Sequence, residues 1–269
     1  PLSLFDDNPL FSELAERLRG MATHIEKRTS VCLSEPGCRG PGQMDGAPAG
    51  LSLMFFSSNE AERASGKYDH VLEAASIADR GGLAAIWLPE RHFHPFGGLF
   101  PDPAVLAGAL ALRTQNIRLR AGSIVLPLHD PISVLERWAM VDNLSNGRVD
   151  LALASGWDAD TFCLAPDAYG DRVTRTLSGI AELQSLWRGT RAKRKNGQGD
   201  MVDVRPLPQP IQRELACWLT VAQRGDLIDL AGSKGLNVLT ALLFQPIDVL
   251  AQKIARYRQA RREAGLDPA

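Results

Sequence analysis

Leu83-Ala-Ala-Ile-Trp-Leu-Pro-Glu-Arg-His-Phe-His-Pro-Phe-Gly-Gly98 is the stretch that decides how this chain folds. Its first six residues, Leu83 to Leu88, are apolar without alternation, as a strand reads when its sheet is covered on both faces. Glu90, Arg91, His92 and His94 follow within six residues. Packing does not ask for an acid, a guanidinium and two imidazoles there, because the core of a parallel α/β protein is filled by Val, Ile and Leu. They must satisfy one another or serve a ligand. In α/β barrels the loops at the C-terminal ends of strands carry the chemistry, so this stretch predicts both a parallel sheet and its working end.

Working outward, strand-like runs alternate with helix-like ones. Strands are predicted at Leu51 to Phe56, Ala84 to Leu88, Ile117 to Leu126, Val149 to Ser155, Ala216 to Ala222 and Leu236 to Leu242. Helices are predicted at Lys67 to Gly81, Pro103 to Thr114, Pro131 to Leu144, Tyr169 to Trp187, Leu227 to Ser233 and Ile247 to Ala264. Strands apolar on both faces and joined by amphipathic helices imply right-handed βαβ units and one parallel sheet. A closed (β/α)8 barrel needs eight units, and six are visible, so the expectation is a TIM-like barrel without its last two βα units. Met201 to Pro208 reads as a short edge strand bounded by prolines. The basic stretch Arg188 to Lys195, between a helix pattern and a hairpin pattern, reads as a solvated loop, with contact to a phosphate or a carrier protein as the other reading.

Residues 1–50 differ. A helix-like stretch from Pro9 to Lys27 precedes a Gly- and Pro-rich segment from Glu35 to Gly50 that reads as a linker, which sets the domain proper at residues 51–269. The 269 residues are 45% hydrophobic and 23% charged, with 30 basic against 31 acidic side chains and a formal charge of −1, so no whole-molecule field steers nucleic acid. No run approaches the roughly 18 apolar residues of a membrane span. Cys32, Cys38, Cys163 and Cys217 are scattered without a CxxC pair and no signal peptide opens the chain, which fits a reducing cytoplasm.

Four motifs then carry a resemblance: Pro-Glu-Arg-His-Phe-His-Pro-Phe-Gly-Gly (89–98), Arg-Ala-Gly-Ser-Ile-Val-Leu-Pro-Leu-His-Asp-Pro (120–131), Val-Asp-Asn-Leu-Ser-Asn-Gly-Arg (141–148) and Ala-Ser-Gly-Trp (154–157). Together, over about Leu51 to Ala269, the chain resembles the bacterial luciferase-like flavin monooxygenases, and most of all the branch found inside natural-product peptide and polyketide megasynthases. The resemblance implies a barrel using reduced FMN and oxygen without metal, with the deazaflavin F420 as a related cofactor. It implies a carrier-protein-tethered acyl or aminoacyl substrate, hydroxylated or opened to Baeyer-Villiger insertion. No reductase segment is evident, so the reduced flavin is expected from a separate flavin reductase.

Such chemistry needs a proton or hydrogen bond delivered beside the flavin in a site kept from water. Glu90, Arg91 and His92 are the catalytic candidates. Arg91 stands where luciferases have a histidine, and a guanidinium donates without acting as an acid at neutral pH, which leaves proton traffic to His92. The alternative for His92 is a supporting bond to Glu90. Gly122 and Ser123 fall where the family places an unusual cis peptide beneath the flavin, although Gly122 could instead let a helix pass. Ala154 and Ser155 are expected near the flavin side chain, Ser155 replacing an arginine used elsewhere on the phosphate. Gln223, Arg224 and Gly225 open a helix whose free N–H groups form an anion site, weakened by Asp226. His94, Phe96 and Trp157 are expected to wall the substrate pocket, with core packing as the other reading of Trp157.

The helices from Pro103 and Pro131 are expected to offer a homodimer surface, as the resemblance implies, with Ile132, Leu135, Trp138, Ala139 and Asp142 on one face; burial against the barrel is the other reading of most of those apolar positions. Two rival readings stand beside the monooxygenase. His92-Phe-His94, with His129, His70, Asp130 or Asp158, could hold a metal for hydrolysis. The departures at Arg91, at Ser155, at Leu227, where relatives often have a hydroxyl residue for the phosphate, and at Asp158, where close relatives often have a histidine, together with the absent last units, fit a non-catalytic barrel serving as a scaffold or docking element in a synthetase.

Overall fold

Six short apolar runs line up side by side in the computed structural model, which describes residues 50–55, 65–94, 97–222, 224–242 and 245–268. The helix and linker expected in residues 1–49, Phe96 and Gln223 lie outside the described residues. In chain order the elements are β1 (Ser52–Met54), α1 (Asp69–Arg80), β2 (Ala85–Leu88), α2 (Pro103–Ala111), β3 (Arg118–Val125), α3 (Pro131–Ser145), β4 (Val149–Ala154), α4 (Arg172–Trp187), β5 (Ala192–Lys195), β6 (Met201–Val204), β7 (Cys217–Thr220), α5 (Gly225–Ser233), β8 (Asn237–Leu239) and α6 (Ile247–Glu263). The main sheet runs β1-β2-β3-β4-β7-β8, parallel throughout, which is six strands of a (β/α)8 barrel in barrel order. The expected fold class holds.

One face of the sheet is covered by helices. Ile86 and Leu88, Leu119 and Ala121, Leu151 and Leu153, and Cys217 and Leu219 alternate along their strands into a core shared with Leu110, Leu135, Trp138 and Leu183. Each fully buried Leu or Ile here contributes about 1.5–3 kcal/mol over an exposed one. The opposite face corrects the expectation of strands apolar on both sides. Trp87, Arg120 and Asp150 lie in register across β2, β3 and β4, and Trp218 sits beside Ala152 on β7. Asp150 accepts from Arg118 Nε at 2.8 Å and Arg120 Nε at 2.7 Å, while the Arg120 guanidinium lies 4.9 Å from the ring centroids of both Trp87 and Trp218. Charge is tolerated on this face because it is paired and stacked rather than isolated.

Local chemistry sets the helix ends. Asp102 and Asp130 cap α2 and α3, accepting from Ala104 N at 2.9 Å and Ile132 N at 2.8 Å, each with proline next in sequence. α3 stops at Asn146, left-handed at φ 58°. Asp142, fully buried on α3, accepts from Ile211 N at 2.6 Å and Gln212 Nε2 at 2.8 Å, tying the helix to the segment before β7.

The basic stretch is not a loop throughout. Ala192–Lys195 pairs antiparallel with Met201–Val204 in a separate ladder, so the edge strand expected after Met201 belongs to a hairpin. Asn196 makes the turn, its Oδ1 accepting from Gln198 N and Asp200 N at 2.9 Å each. Arg194 is pinned by Glu182 at 2.6 Å. Turn chemistry and pairing outweigh the charge density that favours a loop.

Candidate active site

β2 delivers the site. Where it ends, the Glu90 amide donates to the Ser123 carbonyl at 3.1 Å, fixing the loop against β3, and the Arg91 amide donates to the Phe100 carbonyl at 2.9 Å, closing the loop on its own return. The Glu90 side chain turns inward and is buried. Its Oε1 receives His92 Nε2 at 2.9 Å and His129 Nε2 at 2.6 Å, and its Oε2 receives the Val125 amide at 2.8 Å. Burial pushes this carboxyl up, but the bonds from His129 and His92, the positive charge of His129 when it is protonated, and the Val125 amide outweigh it and hold it below the ordinary glutamate value. His129 continues the chain: Arg137 Nη2 lies 3.2 Å from its Nδ1, and Arg137 Nη1 donates to Asp102 at 2.8 Å.

Glu90, Arg91 and His92 face an open cleft of about 360 Å³ whose other walls are Val125, Gly156, Trp157, Asp158, Thr161 and Phe162. Trp157 is 72% exposed, which rules out core packing as its role. The Arg91 guanidinium sits 5.5 Å from its ring centroid, a cation–π pair at the cleft mouth. Asp158 accepts from the Thr161 hydroxyl at 2.7 Å, and that bond, with Arg91 nearby, lowers its carboxyl below the ordinary value. Gly156 has φ +73°, and a Cβ there would stand 2.8 Å from Phe162 and Val125, so only glycine lets β4 turn into the cleft wall.

The Gly122–Ser123 peptide is cis, at the register shift between β3 and β4. A Cβ on Gly122 would come within 3.0 Å of Trp87 Cβ. The glycine therefore makes room for a tryptophan, not for a passing helix. Ser123 and Thr220 share a hydroxyl bond of 2.6 Å across the face. Below them Trp218 Nε1 is buried with no partner among the described residues.

At the start of α5 the expected cation is already engaged. Arg224 Nε donates to Asp226 at 3.1 Å and its Nη2 to the other carboxylate oxygen, which raises the Arg224 pKa and lowers that of Asp226. Lys253, which sequence reasoning missed, supplies charge from behind: buried on α6, it donates to the Ala222 carbonyl at 3.2 Å and Gln245 Oε1 at 2.6 Å. No carboxylate among the described residues pairs with it. A lone Lys on an otherwise charged amphipathic helix carries no signal that would have singled it out.

The structure thus joins Glu90, Arg91, His92 and Trp157 in one cleft. Ala154 and Ser155 stand at the end of β4 leading into it. His94 is exposed and outside the cleft walls. His129 was read from sequence only as a possible metal ligand, yet it is the second imidazole on Glu90; its place between β3 and a capped helix was the available clue. Among the described residues no group of three His, Cys, Asp or Glu is arranged to hold a metal ion. Nor is any described helix long and apolar enough to cross a membrane.

Comparison with known proteins agrees with this geometry. The profile of the family described as luciferase-like monooxygenase matches residues 49–269. The chain is 32% identical to the oxygenase component of a flavin-dependent trigonelline monooxygenase from Acinetobacter baylyi, over 64% of this chain and 48% of that protein. It is 38% identical to limonene 1,2-monooxygenase from Rhodococcus erythropolis, over 69% and 47% of the two. A crystal structure of a monooxygenase from Streptomyces bottropensis superposes with a TM-score of 0.73 at 26% identity, covering 82% of this chain and 67% of the other. The chain spans about half the length of those two sequence relatives.

Proposed function

The chain belongs to the luciferase-like monooxygenase family, and on that premise we propose that it is the oxygenating part of a flavin-dependent monooxygenase, acting on an acyl or aminoacyl group held by a carrier protein. The observation that carries this is the buried Glu90 holding two imidazoles beside Arg91 in an open cleft at the C-terminal end of the parallel sheet. When bound, reduced FMN would supply the electrons that activate oxygen, one atom entering the substrate and the other leaving as water.

The residues present fit that group. The Ser123–Thr220 hydroxyls and the orphaned Trp218 N–H offer polar partners on the sheet face. At the start of α5, helix N–H groups and the Lys253 ammonium offer positive charge to a phosphate, provided Arg224 or Asp226 turns away. His92 would hold or pass a proton at its ring nitrogens, Arg91 would steady developing negative charge, and Trp157 would screen the cleft from water. The flavin would come from a separate reductase, in keeping with a relative named as an oxygenase component. Exposed Val105 on α2, Leu112 just past its end, and Met140 and Leu144 on α3 support a homodimer through those helices. Leu135, Trp138, Ala139 and Asp142 are buried against the sheet, the other reading of those positions, and so do not belong to that surface.

A scaffold role is favoured by one observation, the Arg224–Asp226 pair that occupies the expected phosphate cation. Supplying the chain with a flavin reductase, NADH, ¹⁸O₂ and an acyl-loaded carrier protein separates the two. Mass gain of one labelled oxygen on the carrier-bound acyl group is expected; an unlabelled carrier across a panel of acyl groups, with no flavin retained, supports the scaffold.

A further inference from the structure

Two imidazoles hang on one carboxylate oxygen of Glu90, and their other faces differ. His129 Nδ1 lies 3.2 Å from Arg137 Nη2. A guanidinium has only donors, so this contact requires a lone pair on Nδ1, which puts the ring proton of His129 on Nε2, directed at Glu90. Protonating His129 would set an N–H against the Arg137 N–H and a second positive charge beside the first. Arg137 is itself held in place by Asp102, the cap of α2, at 2.8 Å. His92 has no such neighbour: among the described residues nothing bonds its Nδ1, and its ring borders the open cleft.

We propose that Arg137 and His129 are positioning residues that lock one imidazole neutral, so that His92 alone, of the two on Glu90, takes up and releases a proton. The inference deepens the monooxygenase reading by naming how proton traffic is confined to the cleft side of Glu90. The proton enters at His92 Nδ1 from the cleft, giving an imidazolium that keeps its Nε2–H bond to the Glu90 carboxylate, and it leaves by the same nitrogen. No proton passes to His129, whose acceptor is occupied.

The surrounding charges agree. His92 faces Glu90 and Arg91 from its own strand end, and Asp158 stands across the cleft on the segment after β4. His129 faces Glu90 from β2 and Arg137 from α3, with Asp102 behind the guanidinium. A shallow recess lined by Glu90, Asp102, His129, Arg137 and Trp138 backs His129, whose side chain keeps 19% exposure, so the ring is not sealed from solvent.

Ring-nitrogen NMR of the ¹⁵N-labelled 269-residue chain without flavin tests this, since each of the five histidines reports its own tautomer and charge. Across about pH 8 to 5, His129 is expected to stay neutral with its proton on Nε2, while His92 gains a proton on Nδ1. In Arg137→Met, His129 should become able to protonate in that range; Arg137→Lys, whose ammonium has only N–H donors to set toward Nδ1, should restore the neutral Nε2–H form. A wild-type His129 that protonates alongside His92, or a proton on its Nδ1, overturns the proposal even if Arg137→Met fails to fold. The readout needs no cofactor, so a chain that binds no flavin would sink the functional reading and leave this result standing.

Discussion

Replacing Glu90 by Gln should cost folding stability in a way that depends on pH. The carboxylate receives N–H groups from His92, His129 and Val125 at 2.9, 2.6 and 2.8 Å. A carboxamide has one oxygen and one NH₂, so it cannot receive on both sides. With its oxygen toward the imidazoles, its NH₂ meets the Val125 amide; turned over, its NH₂ meets two ring nitrogens, and His129 cannot switch tautomer against Arg137. Either way a buried donor loses its acceptor, at about 1–3 kcal/mol, and a charge-assisted bond is weakened, so the net loss is about 2–4 kcal/mol at neutral pH. The folded Glu90 carboxyl lies below its ordinary value, so its stabilisation is complete above the unfolded pKa of about 4.3 and fades as pH falls through the folded one. Urea unfolding of both proteins at pH 7 and near pH 3.5 measures the gap. A gap that narrows at the lower pH is expected; an equal gap at both, or one below about 0.5 kcal/mol at pH 7, refutes the reasoning.

Arg148 should prove structural. It donates to the Ser145, Ile117, Ala111 and Thr114 carbonyls at 2.7, 2.7, 3.1 and 2.8 Å, joining the ends of α2 and α3 to the start of β3, so Arg148→Met should lower stability by about 3 kcal/mol or more in denaturant titration. Burial pushes the Cys217 thiol up to about 12, whereas Cys163 is exposed; iodoacetamide on the native chain should label the Cys163 peptide and spare the Cys217 peptide by mass spectrometry. Asp79 accepts the amides of Gln115, Asn116 and Ile117 at 2.9, 2.8 and 2.7 Å, and its lowered pKa means Asp79→Asn should be costly at pH 7 and nearly neutral once pH falls below the folded value, as thermal unfolding across pH would show. Trp157, exposed at the cleft mouth, should be replaceable by Ala with under about 0.5 kcal/mol lost in the same assay, because surface positions rarely cost more.

The strands were legible wherever hydrophobic runs were long and bounded. β2 and β4 start or end within a residue of their expected bounds because Gly81-Gly82 and Gly147 punctuate them. The outer strands are shorter than expected: β8 covers Asn237–Leu239 of a run read from Leu236 to Leu242, since apolar composition continues past the last ladder bond. The charged inner face escaped because Arg118, Arg120 and Asp150 read individually as breaks in apolar runs, and only the register shows them paired. At the site, Glu90, Arg91 and His92 were visible as residues that packing does not require. His129 was read only as a possible metal ligand and Arg137 was missed, because the bond from His129 to Glu90 spans 39 residues and that from Arg137 to His129 spans eight, and a place beside a capped helix does not by itself name either partner. The Arg224–Asp226 pair shows the opposite failure: the residues were noticed, but their mutual bond, which weakens the anion site, depends on side-chain geometry.

The most direct test of flavin-dependent oxygenation is a titration of the chain with FMN, oxidised and then anaerobically reduced, followed by absorbance and fluorescence. Saturable binding that is tighter for the reduced form is predicted; no binding of either form would contradict the account and leave the half-barrel as a scaffold.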